Sequence, residues 1–116
     1  MHEGAIVRSL FDIAVDIRKK ENLKEVSKIK VIAGRFHQIV DEVMQMHFNL
    51  MKKEIPGFEQ AVLEMEEKDV IIHCRNCGRK QKLEEPIFFC PECGSGDTEM
   101  ISGKELHIAT IEGIKD

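Results

Sequence analysis

Residues 74–94 read CRNCGRKQKLEEPIFFCPECG, and this stretch decides how the chain is organised. It holds two Cys-x-x-Cys-Gly knuckles, with Cys74 and Cys77 in the first and Cys90 and Cys93 in the second. A pair of cysteines at this spacing can reach one metal ion from a tight turn, and the glycine leaves room for backbone N–H groups near the sulfurs. Two such turns supply four thiolates, the closed tetrahedral coordination of a structural zinc site. The sequence therefore predicts Zn(II) in a module too small to fold on a core of its own.

Other uses of these four cysteines are compatible with their spacing. Iron in a rubredoxin-like site takes the same four ligands, although the few aromatic side chains nearby favour zinc over a shielded redox centre. A thioredoxin-like motif uses one Cys-x-x-Cys at the start of a helix, which two knuckles do not resemble. His73 precedes the first knuckle and could exchange with a cysteine as ligand, but the simpler interpretation is a strand residue.

The segments on either side of the knuckles show two different periodicities. Apolar residues recur every three or four positions in two segments, which predicts helices over 5–21 and 38–53. Apolar and polar residues alternate in three others, which predicts strands over 27–34, 59–67 and 104–114. In the last strand we expect Leu106, Ile108 and Thr110 on one face and His107, Ala109 and Ile111 on the other.

These elements predict an α+β fold. We expect two helices packed on a small mixed three-stranded sheet, with a zinc ribbon inserted late in the chain. The expected division is an α+β domain formed by residues 1–68 and 102–116, interrupted by a ribbon domain of residues 69–101.

The composition narrows the class of protein. The 116 residues are 42% hydrophobic and 33% charged, the balance of a folded globular protein. A net charge of −4 and the absence of Trp and Tyr disfavour a nucleic-acid binder with a basic face and stacking platforms. No apolar run is long enough to span a membrane, and the N-terminal residues lack the basic segment of a secretory signal. We expect a cytoplasmic protein, in which four cysteines are metal ligands rather than disulfides.

The first three residues, Met1-His2-Glu3, form a second possible metal site. The α-amine and the backbone nitrogen of His2 close a five-membered chelate ring, and that nitrogen and the His2 imidazole close a six-membered ring. Planar nitrogen-rich coordination suits Ni(II) or Cu(II) rather than tetrahedral zinc. From the residues alone, a histidine at position 2 is more often simply a frayed terminal residue than a metal ligand.

The remaining histidines and the polar residues give weaker signals. His47 lies on the apolar stripe of the second predicted helix, which favours a core histidine over a ligand. His37 lies at a strand–helix junction, where it could approach the N-terminus or hydrogen-bond the turn, and nothing distinguishes His107. We find no nucleophile–base pair, phosphate-binding loop or pair of catalytic carboxylates, so we do not expect an enzyme.

Taken together, the whole chain resembles the HypA-type nickel metallochaperones of hydrogenase and urease maturation. The resemblance rests on MHE at the N-terminus, VIAG at 31–34, and the HCRNCG and CPECG knuckles. It implies that Ni(II) binds at Met1, His2 and Glu3, with His2 the essential ligand, and that Zn(II) is structural in the four cysteines. The implied partners are a nickel-handling GTPase and the large subunit of [NiFe]-hydrogenase, with urease as another client, for a monomer or homodimer.

A four-residue segment and one further position depart from the family pattern. Gly34-Arg35-Phe36-His37 replaces a Gly-Glu-Leu type segment, and Gly4 stands where Met or Trp is common. We expect both to alter the surface beside the nickel motif without touching the ligands. An alternative function from another class is a zinc-ribbon adaptor that binds nucleic acid or polymerase, which the acidic balance disfavours.

Overall fold

The structure, a computed structural model, describes residues 2–84 and 89–115. Two helices and six strands are assigned in this part of the chain. They are α1 (Glu3–Lys20), β1 (Leu23–Gly34), α2 (Asp41–Lys52), β2 (Val62–Lys68), β3 (Val70–Cys74), β4 (Lys80–Leu83), β5 (Thr98–Ser102) and β6 (Leu106–Lys115), with a short 3-10 turn at Arg35–His37.

The first sheet has the strand order β2-β1-β6. Strand β1 pairs in parallel with β2 and antiparallel with β6, so the predicted mixed three-stranded sheet is confirmed. Both helices contribute to one apolar core with this sheet, in which the Phe11 ring stacks on Phe48 at 5.0 Å between centroids. The buried members of this core are Val7, Leu10, Phe11, Ala14, Val26, Ile29, Val31, Met44, Phe48, Phe58, Ala61 and Leu63.

The second sheet is formed by the chain between β2 and β6. Its order is β4-β3-β5, and both pairings are antiparallel. Among the described residues, the buried apolar cluster of this sheet consists of Val70, Ile72 and Leu83. Because so small a cluster contributes little hydrophobic stabilisation, the cysteines at the end of β3 must provide much of what holds this module together.

The element boundaries differ from the sequence prediction in ways that have local causes. Helix α2 begins at Asp41 rather than at position 38, because the backbone of Gln38 is left-handed (φ 52°) after the 3-10 turn. Strand β1 begins at Leu23, where it already pairs with Lys115 of β6.

Strand β6 also departs from strict alternation. Leu106, Ile108 and Ile111 all pack against the core, although Ile111 was expected on the opposite face. The register with β1 shifts between Lys30 and Val31, and an extra residue of this kind changes which later side chains point to the core.

Candidate metal centres

The four cysteine sulfurs converge at the end of β3. They lie within 4.8 Å of one another, with Cys74 Sγ 3.6 Å from Cys93 Sγ and Cys77 Sγ 3.8 Å from Cys90 Sγ. A disulfide needs about 2.05 Å, so these are separate thiols. Four thiolates bound to Zn(II) at about 2.3 Å would lie about 3.8 Å apart along the edges of a tetrahedron. The spacing and the donor set therefore fit a four-thiolate zinc ion.

The two knuckles have the same backbone hydrogen bonds. Gly78 donates to the Cys74 carbonyl and Gly94 to the Cys90 carbonyl, each at 2.8 Å, which closes one turn per knuckle. Both glycines are left-handed, with φ of 78° and 73°, and a Cβ at either would meet nothing within 4 Å. Backbone conformation rather than space therefore selects glycine after each cysteine pair.

The thiols have opposed ionisation tendencies because they are crowded together. The pKa of Cys93 is lowered to about 6, first by the Ser95 backbone N–H and then by the Asn76 side chain. At Cys77 the Arg79 backbone N–H acts to lower the pKa, but desolvation and the neighbouring sulfurs raise it to about 11. A divalent cation among the sulfurs would resolve this conflict, because coordinated thiols are deprotonated.

Polar side chains connect the first knuckle to the second. The Asn76 amide donates to Cys93 Sγ at 3.7 Å. The Arg75 guanidinium pairs with Asp97 at 2.9 Å and with Glu99 at 3.0 Å, beyond the second knuckle. These contacts hold the two turns in the relative position that the four sulfurs require.

The N-terminal motif lies at the start of α1, and Met1 falls outside the described residues. His2 is the exposed N-cap residue of α1, and its side chain makes no capping hydrogen bond. The four cysteines are the only set of three or more metal-ligating side chains brought together within 2–84 and 89–115. The described residues of the N-terminal motif bring no set of three such side chains together, so a metal bound there would also need backbone nitrogen.

Glu3 is turned inward rather than toward solvent. Its side chain is 8% exposed, and its Oε2 accepts a hydrogen bond from the Val40 backbone N–H at 3.1 Å. That hydrogen bond is the main reason that the pKa of Glu3 is lowered, and attraction to His47 acts in the same direction. Glu3 thus anchors the first turn of α1 to the residue preceding α2. No local sequence pattern indicates this contact, which joins residues 37 positions apart.

His47 also reaches the first turn of α1. The position that a Cβ on Gly4 would occupy is 3.2 Å from His47 Cε1 and 3.3 Å from Nδ1. The ring is half-buried. The sequence places His47 on the apolar stripe of α2, but only the structure shows that Gly4 gives it space beside the N-terminal motif.

A family model described as hydrogenase/urease nickel incorporation, metallochaperone, hypA matches residues 1–113. The chain belongs to this HypA family. Its members named as hydrogenase maturation factor HypA include that of Moorella thermoacetica, 35% identical over 97% of this chain and 99% of the relative. The HypA of Aquifex aeolicus is 35% identical over 97% of this chain and 96% of the relative.

A solved HypA structure has the same fold. The solution structure of the Ni metallochaperone HypA from Helicobacter pylori superposes with a TM-score of 0.71 at 20% identity, covering 100% of both chains. The predicted fold class is therefore confirmed. No helix in 2–84 or 89–115 has the length and apolarity needed to cross a membrane.

The remaining histidines of this HypA-family chain, His37, His73 and His107, are not part of the thiol cluster. His73 is a half-buried residue of β3, in register with Lys80 and Glu99, and it is not part of the thiol cluster. His37 Nε2 hydrogen-bonds the Lys104 carbonyl at 2.8 Å, and His107 is an exposed residue of β6.

The segment that departs from the family pattern lies between the two sheets. Phe36 packs against the small apolar cluster of the second sheet, and its N–H donates to the Gly103 carbonyl at 3.0 Å. Arg35 pairs with Glu67 and Asp69, each at 3.2 Å. Arg35 and Phe36 therefore lie at the junction between the sheets, whereas Gly4 lies in the first turn of α1.

Proposed function

We propose that this chain carries Ni(II) during maturation of [NiFe]-hydrogenase or urease and holds it at its N-terminus. The ligands are the Met1 amine, the His2 imidazole and backbone nitrogen of the His2–Glu3 segment. The observation that carries this proposal is the exposed, uncapped His2 placed directly before an anchored Glu3. Family membership supports nickel as the cargo.

Glu3 and His2 have different roles in the proposed nickel site. The Glu3 carboxylate is occupied by the Val40 N–H, so it fixes the backbone rather than offering an oxygen to the metal. His2 is exposed and makes no capping hydrogen bond, so an ion can reach its imidazole from solvent. Binding through a backbone amide requires its deprotonation, so nickel affinity should rise with pH. A site of this kind is open on one side, which suits release to a client.

The four cysteines are proposed to hold Zn(II) as a resident structural ion. Zinc supplies no chemical step here, but it fixes the two knuckles relative to each other. We assign residues 69–101 to this ribbon domain and residues 1–68 and 102–116 to the nickel-binding domain. The separate cores of the two sheets support this division. Reduced thiolates of this kind are expected in the cytoplasm.

Helix α1 is the proposed docking surface for the partners, which are the nickel-handling GTPase and the hydrogenase large subunit. The helix starts at the nickel motif, and Ile13 is 51% exposed on it. An apolar groove of about 590 Å³ separates α1 from β6 beside this residue. A partner seated there would have His2 within reach. The protein would act as a carrier and not as an enzyme.

The test is a nickel titration of untagged protein, because a tag would block the amine. His2→Ala should weaken nickel binding by more than about 100-fold, since the loss of outer-shell partners alone can reach that size. The zinc content and the circular dichroism should not change. An unchanged nickel affinity in the His2→Ala variant would refute the proposed site.

The alternative function, an adaptor that binds nucleic acid, is tested by filter binding to DNA and RNA at low salt. We expect no retention, because the chain carries a net charge of −4 and would repel phosphate. Salt-dependent binding to either nucleic acid would favour the adaptor.

A further inference from the structure

A second imidazole stands beside the first turn of α1. The three ring atoms of His47 nearest Gly4 are Cε1, Nδ1 and Nε2, at 3.2, 3.3 and 3.6 Å from the position of a Cβ there. The edge of the ring that bears both nitrogens therefore faces the start of α1. Gly4 directly follows Glu3 and His2, so this edge of the ring lies beside the residue next to the nickel motif.

The position of His47 is fixed from two directions. Its neighbours Met44 and Phe48 are fully buried, and Phe48 stacks on Phe11 of α1, which sets the rotation of α2. At the start of α2, the Val40 N–H donates to Glu3. The two helices are thereby held together on both sides of His47 along α2. The packing of the core therefore places its ring against Gly4.

The absence of a side chain at Gly4 leaves the space that the His47 imidazole occupies beside α1. A side chain at this position would have to share space with the imidazole, because even a Cβ comes within 3.2 Å of it. Glycine within a helix costs about 0.5–1 kcal/mol relative to alanine. The chain accepts this cost in the first turn of α1, and the space gained is filled by a metal-ligating side chain.

The ring nitrogens of His47 are open to solvent. Within residues 2–84 and 89–115, neither takes part in a hydrogen bond, and neither is among the buried side-chain atoms that lack a partner. They are therefore available to a ligand. Gly4, which the ring contacts, directly follows the His2–Glu3 backbone on which nickel is proposed to bind.

We propose that His47 supplies a further ligand to the Ni(II) bound at His2, so that two imidazoles from two different helices hold the ion. This inference rests on the proposed function, because it requires nickel at the N-terminal motif. It adds a donor from α2 to a site that is otherwise built from one end of the chain. Nickel binding would thus also fasten α1 to α2.

The test combines nickel titration with X-ray absorption of the nickel-loaded, untagged full chain. His47→Phe keeps the ring volume and removes both nitrogens. Gly4→Met leaves His47 in the sequence but occupies the space of its ring. We expect each variant to bind nickel about 10- to 100-fold more weakly. The number of imidazoles around nickel should fall from two to one.

His107→Phe is the matched control, since it makes the same replacement at an exposed histidine of β6. It should leave both readouts unchanged. If His47→Phe binds nickel as tightly as the parent chain with the same number of imidazoles, the assignment of His47 is overturned. That result, combined with a loss of binding in His2→Ala, would leave the proposed function standing. An unchanged His2→Ala variant would instead overturn both.

Discussion

Replacing Phe36 by alanine tests how the two sheets are joined. Phe36 follows β1, yet its half-buried ring packs against Val70, Ile72 and Leu83 of the second sheet. Full burial of a phenylalanine contributes about 1.5–3 kcal/mol, so a half-buried ring contributes roughly 1–1.5 kcal/mol. The Lys104 ammonium lies 5.5 Å from the ring centroid, and such a cation–π contact adds about 0.5–1 kcal/mol. Phe36→Ala should therefore weaken the junction by about 2 kcal/mol.

Hydrogen exchange measures this loss directly. The Gly34 N–H donates to the Glu105 carbonyl at 2.6 Å and the Phe36 N–H to the Gly103 carbonyl at 3.0 Å, so both amides exchange only when the junction opens. A loss of about 2 kcal/mol corresponds to exchange about 30-fold faster. The amides of α1 should keep their exchange protection. In Phe36→Leu, the junction amides should keep most of theirs, because leucine still packs against the apolar cluster. Junction amides that exchange at the parent rate in Phe36→Ala, or an equal acceleration throughout α1, would refute this account of the junction.

Two further predictions concern the ribbon and its attachment. Cys74→Ser should lose zinc and the hydrogen-exchange protection of β3, β4 and β5. The helical circular dichroism should persist, because the main core lies outside the ribbon. A retained equivalent of zinc would contradict the four-thiolate site. The pKa of Glu105 lies below its usual 4.5, first because of its own backbone N–H and then because of that of Gly103. The charged carboxylate therefore stabilises the native protein above about pH 4.5, and this contribution is lost as pH falls through the lowered pKa. Glu105→Gln should accordingly have a lower urea midpoint than the parent chain at pH 7, and the two midpoints should lie closer together at pH 3. If the difference between the two midpoints is the same at both pH values, Glu105 is not charged in the native protein.

The features that could be predicted from the sequence are those that depend on short spacing. The thiol cluster follows from two knuckles whose geometry is set within five residues each, and the helices follow from apolar periodicity. The contact between Glu3 and Val40 and the approach of His47 to Gly4 join distant positions and depend on how α1 packs on α2. No local pattern encodes that packing. The core position of Ile111 was missed for a related reason, because a register shift against β1 interrupts the alternation on which the prediction depended.

The two metal centres differ in how freely an ion could leave them. In the ribbon, Cys74 and Cys90 are fully buried and Cys77 and Cys93 are exposed, and a backbone hydrogen bond closes each turn. Release of zinc from the buried pair would therefore require the knuckles to open. At the N-terminus, His2 is exposed at the start of α1, and the Glu3 carboxylate ties this turn to the Val40 backbone. A nickel ion bound as proposed could exchange ligands one at a time with an incoming client while the fold stays intact. Under the proposed function the chain would keep zinc and give up nickel, because zinc would be held by four thiolates of the module that it stabilises.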